Sequence, residues 1–104
     1  MKNEGLIIIE EKTQEGVRLN LTGRVYSINA FTLEQKLDEV LNKGLNNIIL
    51  NMEHVEYICS TGIKIVLKAF KTAIKTGGKL GIEQPSVNVS NILKITTLDE
   101  ILIQ

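Results

Sequence analysis

Leu6-Ile7-Ile8-Ile9 is a short apolar run closed by Glu10-Glu11-Lys12. Its β-branched residues predict a strand. After a polar turn at Gly16, Val17-Arg18-Leu19-Asn20-Leu21 alternates apolar and polar, the pattern of a half-buried strand, and Gly23 closes it. The two runs predict a hairpin with a loop longer than two residues. Between Asn29 and Lys43 the period changes: Leu33, Leu37, Val40 and Leu41 fall on one helical face. Thr32 with Gln35 fits a capping box and Asn29 is a rival cap; Gly44 is the stop. Ile48-Ile49-Leu50-Asn51-Met52 predicts a strand covered on both faces.

The strongest periodicity lies between Ser60 and Thr76. Ile63, Val66, Leu67, Phe70, Ala73 and Ile74 recur at helical spacing and are expected to face the sheet. On that basis Phe70→Ala is expected to cost about 3–5 kcal/mol. Lys64, Lys68, Lys71 and Lys75 form a second stripe, of one charge and expected to be exposed. Such stripes are commonly solvated faces, but with no acid on it an acidic partner surface is a second reading. Gly77-Gly78 ends this helix and Lys79-Leu80-Gly81-Ile82 follows as a strand. Pro85 and Ser86 open a short helix with Val89, Ile92 and Leu93 on its apolar face. Ile101-Leu102-Ile103 is a short strand or an apolar tail. The order β-β-α-β-α-β-α-β predicts an α/β fold. Its sheet is mixed, with about five strands, helices packed on it and right-handed crossovers. The opening hairpin is expected to leave part of one sheet face thinly covered.

Composition narrows the function. The 104 residues fit one domain, residues 1–104, and 43% hydrophobic content suffices for a core. Twelve basic and twelve acidic residues cancel, so nothing favours nucleic acid or an anionic membrane as partner. Four aromatic residues and no Trp leave little for base stacking. One cysteine, Cys59, permits no internal disulfide, and with the single His54 it makes no common zinc site. The N-terminal apolar run is too short for a signal peptide, and no stretch could span a membrane. A cytoplasmic protein without metal or cofactor is expected. It is not expected to be an enzyme, since no nucleophile–base pair, carboxylate pair or phosphate-cradling loop is present.

The candidate chemistry centres on Tyr57-Ile58-Cys59-Ser60-Thr61-Gly62-Ile63, where a strand gives way to a helix. Ser60 and Thr61 stand at the helix start, where hydroxyls cap amides and negative charge is favoured. Ser60 is the nearer cap candidate. Either hydroxyl could carry a phosphate without disturbing the helix. Cys59 reads as a small buried filler rather than a reactive thiol, although helix starts activate thiols. His54 reads as a loop residue.

Taken in order, these stretches resemble the STAS domain, the fold of bacterial anti-sigma factor antagonists and of the cytoplasmic tails of sulphate transporters. Leu21-Thr22-Gly23 resembles the family's L-x-G. Ile49 to Met52 and Val55 to Ile58 resemble its third strand and the loop into the key helix. Cys59-Ser60-Thr61-Gly62-Ile63 resembles its D-S-S-G-L or S-S-A-G-L motif. Gly77-Gly78-Lys79-Leu80 and Pro85-Ser86-Val87 followed by Ile92 to Leu98 resemble its later motifs. The resemblance implies a protein that binds an anti-sigma factor which is also a serine/threonine kinase. Phosphorylation at Thr61, or at Ser60 as second choice, would switch it off. It implies a partner-binding patch of Tyr26, Ser27, Ser60, Thr61 and Lys64, with the loop from Arg24 to Asn29 beside the central helix. The chain would be a monomer or weak dimer acting in sporulation or stress response. Cys59 stands where many phosphorylated members carry Asp, and Tyr26 where many carry an acidic residue. The alternative is therefore a non-phosphorylated STAS subunit of a larger regulatory or lipid-transport complex.

Overall fold

The computed structural model describes residues 5–95 and 102–103. Its elements are β1 Leu6–Lys12, β2 Val17–Val25, α1 Ala30–Asn42, β3 Asn47–Ile58, α2 Ser60–Lys75, β4 Lys79–Glu83, α3 Val87–Ile95 and β5 Leu102–Ile103. The strands form one mixed sheet of five, ordered β1-β2-β3-β4-β5. β1 pairs antiparallel with β2, and the remaining neighbours are parallel. Thr96 to Leu98 of the last motif, and Ile101 of the last strand, lie outside the described residues.

Alternation along β2 sends Val17, Leu19 and Leu21 into the core, and Ile48, Leu50 and Met52 of β3 follow them. Leu33, Leu37 and Val40 of α1, Val66 and Ala73 of α2, and Val89 and Leu93 of α3 join the same cluster. The described helices therefore share one face of the sheet. The opposite face carries Ile7 and Ile9, 56% and 61% exposed, and a polar ladder. There Arg18 holds Glu83 through two hydrogen bonds of 3.0 and 3.2 Å, and Asn51 donates to Asn20. The expectation that β3 is covered on both faces is thus corrected, since Ile49 is only half-buried on the bare side. A hairpin needs no crossover, so no helix is carried over that face at β1 and β2.

Two elements run further than their patterns suggest. β2 continues past Gly23 to Val25, and β3 runs to Ile58. Residues 53–58, His54 included, are strand and not loop. Register shifts after Asn20 and after Gly23 break the alternation, so the period-2 signal fades there while the ladder continues to Val25 and Ile58.

α2 is also turned relative to expectation. Gly62, Ile63, Val66, Ala69 and Ala73 are its buried residues. Leu67 and Phe70 are only partly buried, and Ile74 is 52% exposed. Small side chains at 62, 69 and 73 let the helix axis lie close to the sheet, so the larger residues flank the contact. Phe70→Ala should accordingly cost less than the about 3–5 kcal/mol of a fully buried Phe. The four lysines are exposed, as expected. α2 ends as its sequence requires. Gly77, at φ +88°, donates to Ile74 and Gly78 donates to Ala73, the paired bonds of a Schellman stop.

Candidate functional site

Parallel pairing of β2 with β3 brings Val25 level with Ile58. The strands end together, and each feeds a helix start at the same sheet edge. The Cys59 amide donates to the Val25 carbonyl at 2.9 Å, tying the start of α2 to the end of β2. A Cβ on Gly62 would meet the side chains of Ile58 and Val25 at 2.8 Å, so only glycine allows the first turn of α2 to sit this close.

The helix cap is Cys59, not Ser60. Cys59 has extended backbone, and its Sγ accepts from the Gly62 amide at 3.5 Å. Its thiol is half-buried rather than buried. Ser60 and Thr61 are the first two helical residues, and both are exposed. The side-chain pattern could not separate these adjacent small residues as caps; the β2 contact selects Cys59. No acidic residue lies in the first turn.

The loop is residues 26–29, not the expected Arg24 to Asn29, since Arg24 and Val25 belong to β2 and pair with β3. It is shaped by Asn29, the only buried polar side chain among the described residues. Its Oδ1 accepts from the Tyr26 amide at 2.8 Å and its Nδ2 donates to the Arg24 carbonyl at 2.9 Å. Asn29 is also the N-cap residue of α1, although its side chain is turned back into the loop and makes no capping bond. The proposed box of Thr32 with Gln35 is therefore corrected. α1 starts at Ala30, three residues before the start a Thr32 cap would give, because Asn29 and Ala30 both donate to the Tyr26 carbonyl and form a turn.

Between this loop and the end of β3 lies an open groove of about 850 Å³. Tyr26 and Ser27 line it together with Cys59, Tyr57 and Ile28. The rings of Tyr26 and Tyr57 stand 5.6 Å apart, and Arg24 reaches Glu56 at 2.7 Å. The Glu56 carboxylate, then Tyr26, hold the Arg24 guanidinium in its charged form and raise its pKa. Ile28 is 73% exposed and leaves an apolar surface at the mouth. Ser60, Thr61 and Lys64 are exposed on the first turns of α2, outside the lining of this groove. Sequence reasoning did not single out Glu56, and it named Tyr57, Arg24 and Ile28 only within longer stretches, not as lining of one groove. Tyr26 follows the last residue of β2 and Tyr57 precedes the last residue of β3, so only the register of the two strands brings the rings together.

Residues 8–104 match the STAS domain. The chain belongs to the STAS domain family. Among STAS relatives, the Bacillus subtilis anti-sigma-B factor antagonist is 26% identical over 92 residues, 88% of this chain and 84% of that protein. A Thermotoga neapolitana protein, provisionally named an anti-sigma factor antagonist, is 37% identical over 65 residues. That match covers 62% of this chain and 58% of the Thermotoga protein, so the alignment spans less than two thirds of that relative. The unphosphorylated anti-sigma factor antagonist SpoIIAA superposes with a TM-score of 0.82 at 20% identity, over 93% of this chain and 86% of SpoIIAA. Its phosphorylated form superposes with a TM-score of 0.75. At that identity the likeness speaks for the fold. Among the described residues, no helix is long and apolar enough to cross a membrane.

Proposed function

We infer that this STAS chain is an anti-sigma factor antagonist that works by partner switching. In its unmodified form it binds an anti-sigma factor that is also a serine/threonine kinase, through Tyr26, Ser27, Ser60, Thr61 and Lys64. Phosphorylation at Thr61 ends that binding. The observation that carries this reading is the placement of Thr61. It is an exposed hydroxyl on the first turn of a helix that has no acid there. A phosphate of about −1.5 to −2 charges is accommodated by the dipole at such a position, so the fold survives modification. A partner surface fitted to a neutral threonine would have to desolvate that charge unpaired. This costs several kcal/mol, on the order of a hundredfold or more in Kd. The names of the Bacillus and Thermotoga relatives support the same reading.

The test is co-purification of the kinase with the native protein, then incubation with ATP and intact-mass analysis. Thr61→Asp should abolish binding while melting at a similar temperature. Thr61→Ala should bind and resist modification, and Ser60→Ala should remain modifiable. Cys59 and Tyr26, in place of carboxylates, favour a second reading as a non-phosphorylated subunit of a larger complex. Normal binding by Thr61→Asp, with neither hydroxyl labelled, would select it.

A further inference from the structure

Helix α2 carries four lysines and no acid between Ser60 and Lys75. Its neighbour α1 carries Glu34, Asp38 and Glu39 against a single lysine, Lys36. In a chain of zero formal charge, this separates the signs between two adjacent helices. Lys64, Lys68, Lys71 and Lys75 lie on the side of α2 opposite its buried Val66 and Ala73, all exposed. Like charges at this spacing repel. Only Lys68 has a carboxylate near, Glu34 at 3.9 Å; Lys64, Lys71 and Lys75 form no ion pair among the described residues.

The track has an apolar border. A groove of about 400 Å³ runs among the lysines with the half-buried Leu67 in its wall. Ile74, two turns on from Leu67 and on the same side, is 52% exposed. The other border faces α1, where Glu34 and Asp38 share a cleft with Lys68 and Thr72. From Lys64 to Lys75 the track is about 16 Å long, at 1.5 Å per residue, and one helix wide.

We propose that this track is a docking surface for an acidic amphipathic segment of a protein partner. The acidic side chains of that segment meet the lysines, and its apolar edge lies on Leu67 and Ile74. The width decides the class. A bilayer or a nucleic-acid duplex is broad and would bring its phosphates onto Glu34 and Asp38, whereas a single narrow segment avoids them. The track begins one turn after Thr61, so it would add a second contact to the partner encounter inferred above. It rests on that reading only for which protein carries the segment.

The test uses the whole chain and a synthetic acidic amphipathic peptide of about three to four helical turns, with a scrambled peptide of equal charge as control. Binding is read by fluorescence anisotropy and by amide chemical shifts at low and moderate salt. The amphipathic peptide should shift the amides of residues 64–75 and bind more tightly than the scrambled one. Lys68→Glu/Lys71→Glu/Lys75→Glu should weaken it by about tenfold or more, and the matching Gln triple by less. Both variants should keep the native circular dichroism, since all three side chains are exposed. Unchanged affinity of the Glu triple, shifts confined to other surfaces, or tighter binding to phosphatidylserine vesicles than to the peptide would overturn the proposal. These readouts involve no kinase and no phosphate, so their failure is distinct from failure of the switch at Thr61. A triple variant that loses the peptide yet binds the anti-sigma factor normally would remove the track from that encounter and overturn its role there.

Discussion

Asn29 does at residue scale what the loop backbone cannot do alone. It is 2% exposed, and its amide bridges the Tyr26 N–H and the Arg24 carbonyl. Removing it leaves a donor and an acceptor short of partners at the rim of the groove. Asn29→Ala should therefore lower stability by about 1–3 kcal/mol, read as a lower urea midpoint with an unchanged slope. Its presence near the start of α1 is legible in the sequence, since Asn is a favoured cap. Its actual work is not, because the Arg24 carbonyl it meets is placed by the end of a strand. Cys59 tells the same story. Its position before the hydroxyl pair is visible, but the bond from its amide to Val25 depends on β2 and β3 ending together.

At the scale of elements, α2 separates hydrophobicity from contact. Its sequence advertises Leu67, Phe70 and Ile74, yet Ala69 and Ala73 make the close approach to the core. Two substitutions distinguish these views. Ile74→Ser should change stability by no more than about 0.5 kcal/mol, as for an ordinary surface site. Ala73→Leu should cost about 1–3 kcal/mol, because a larger side chain must push the helix off the sheet. Thermal unfolding of both variants checks the pair, and a large loss for Ile74→Ser would return that residue to the core. The helix stops were readable because Gly77 is demanded by the local backbone. The rotation of α2 was not, because it is settled by which residues fit against Val25 and Ile58.

Across the whole molecule, ion pairs join elements distant in sequence. Lys36 of α1 reaches Glu10 of β1 at 2.6 Å and Glu39 at 3.2 Å. The bond to Lys36 lowers the Glu10 pKa below its ordinary 4.5, and the bond from Glu10 raises that of Lys36 above 10.5. Glu39 is lowered by the same lysine and then by Lys43. The contribution of the two carboxylates is thus complete above their unfolded values and is lost as pH falls through the depressed folded ones. That of Lys36 is complete below 10.5 and is lost as pH rises through its raised folded value. Glu10→Gln should therefore lower the neutral plateau slightly, by the contribution the parent loses in acid, so that the acid limb flattens and the two proteins converge below about pH 4.5. Urea midpoints measured across acid pH check this, and an unaltered acid slope would place the loss elsewhere. By itself the sequence determined the order of the elements, their type, the exposed lysine track and the hydroxyl pair at a helix start. Each of these follows from local period, capping chemistry or charge. Only the tertiary structure decided that the described helices share one face of the sheet and that β3 runs on to Ile58. It alone placed Tyr57 beside Tyr26, since strand pairing and register join residues far apart in the chain.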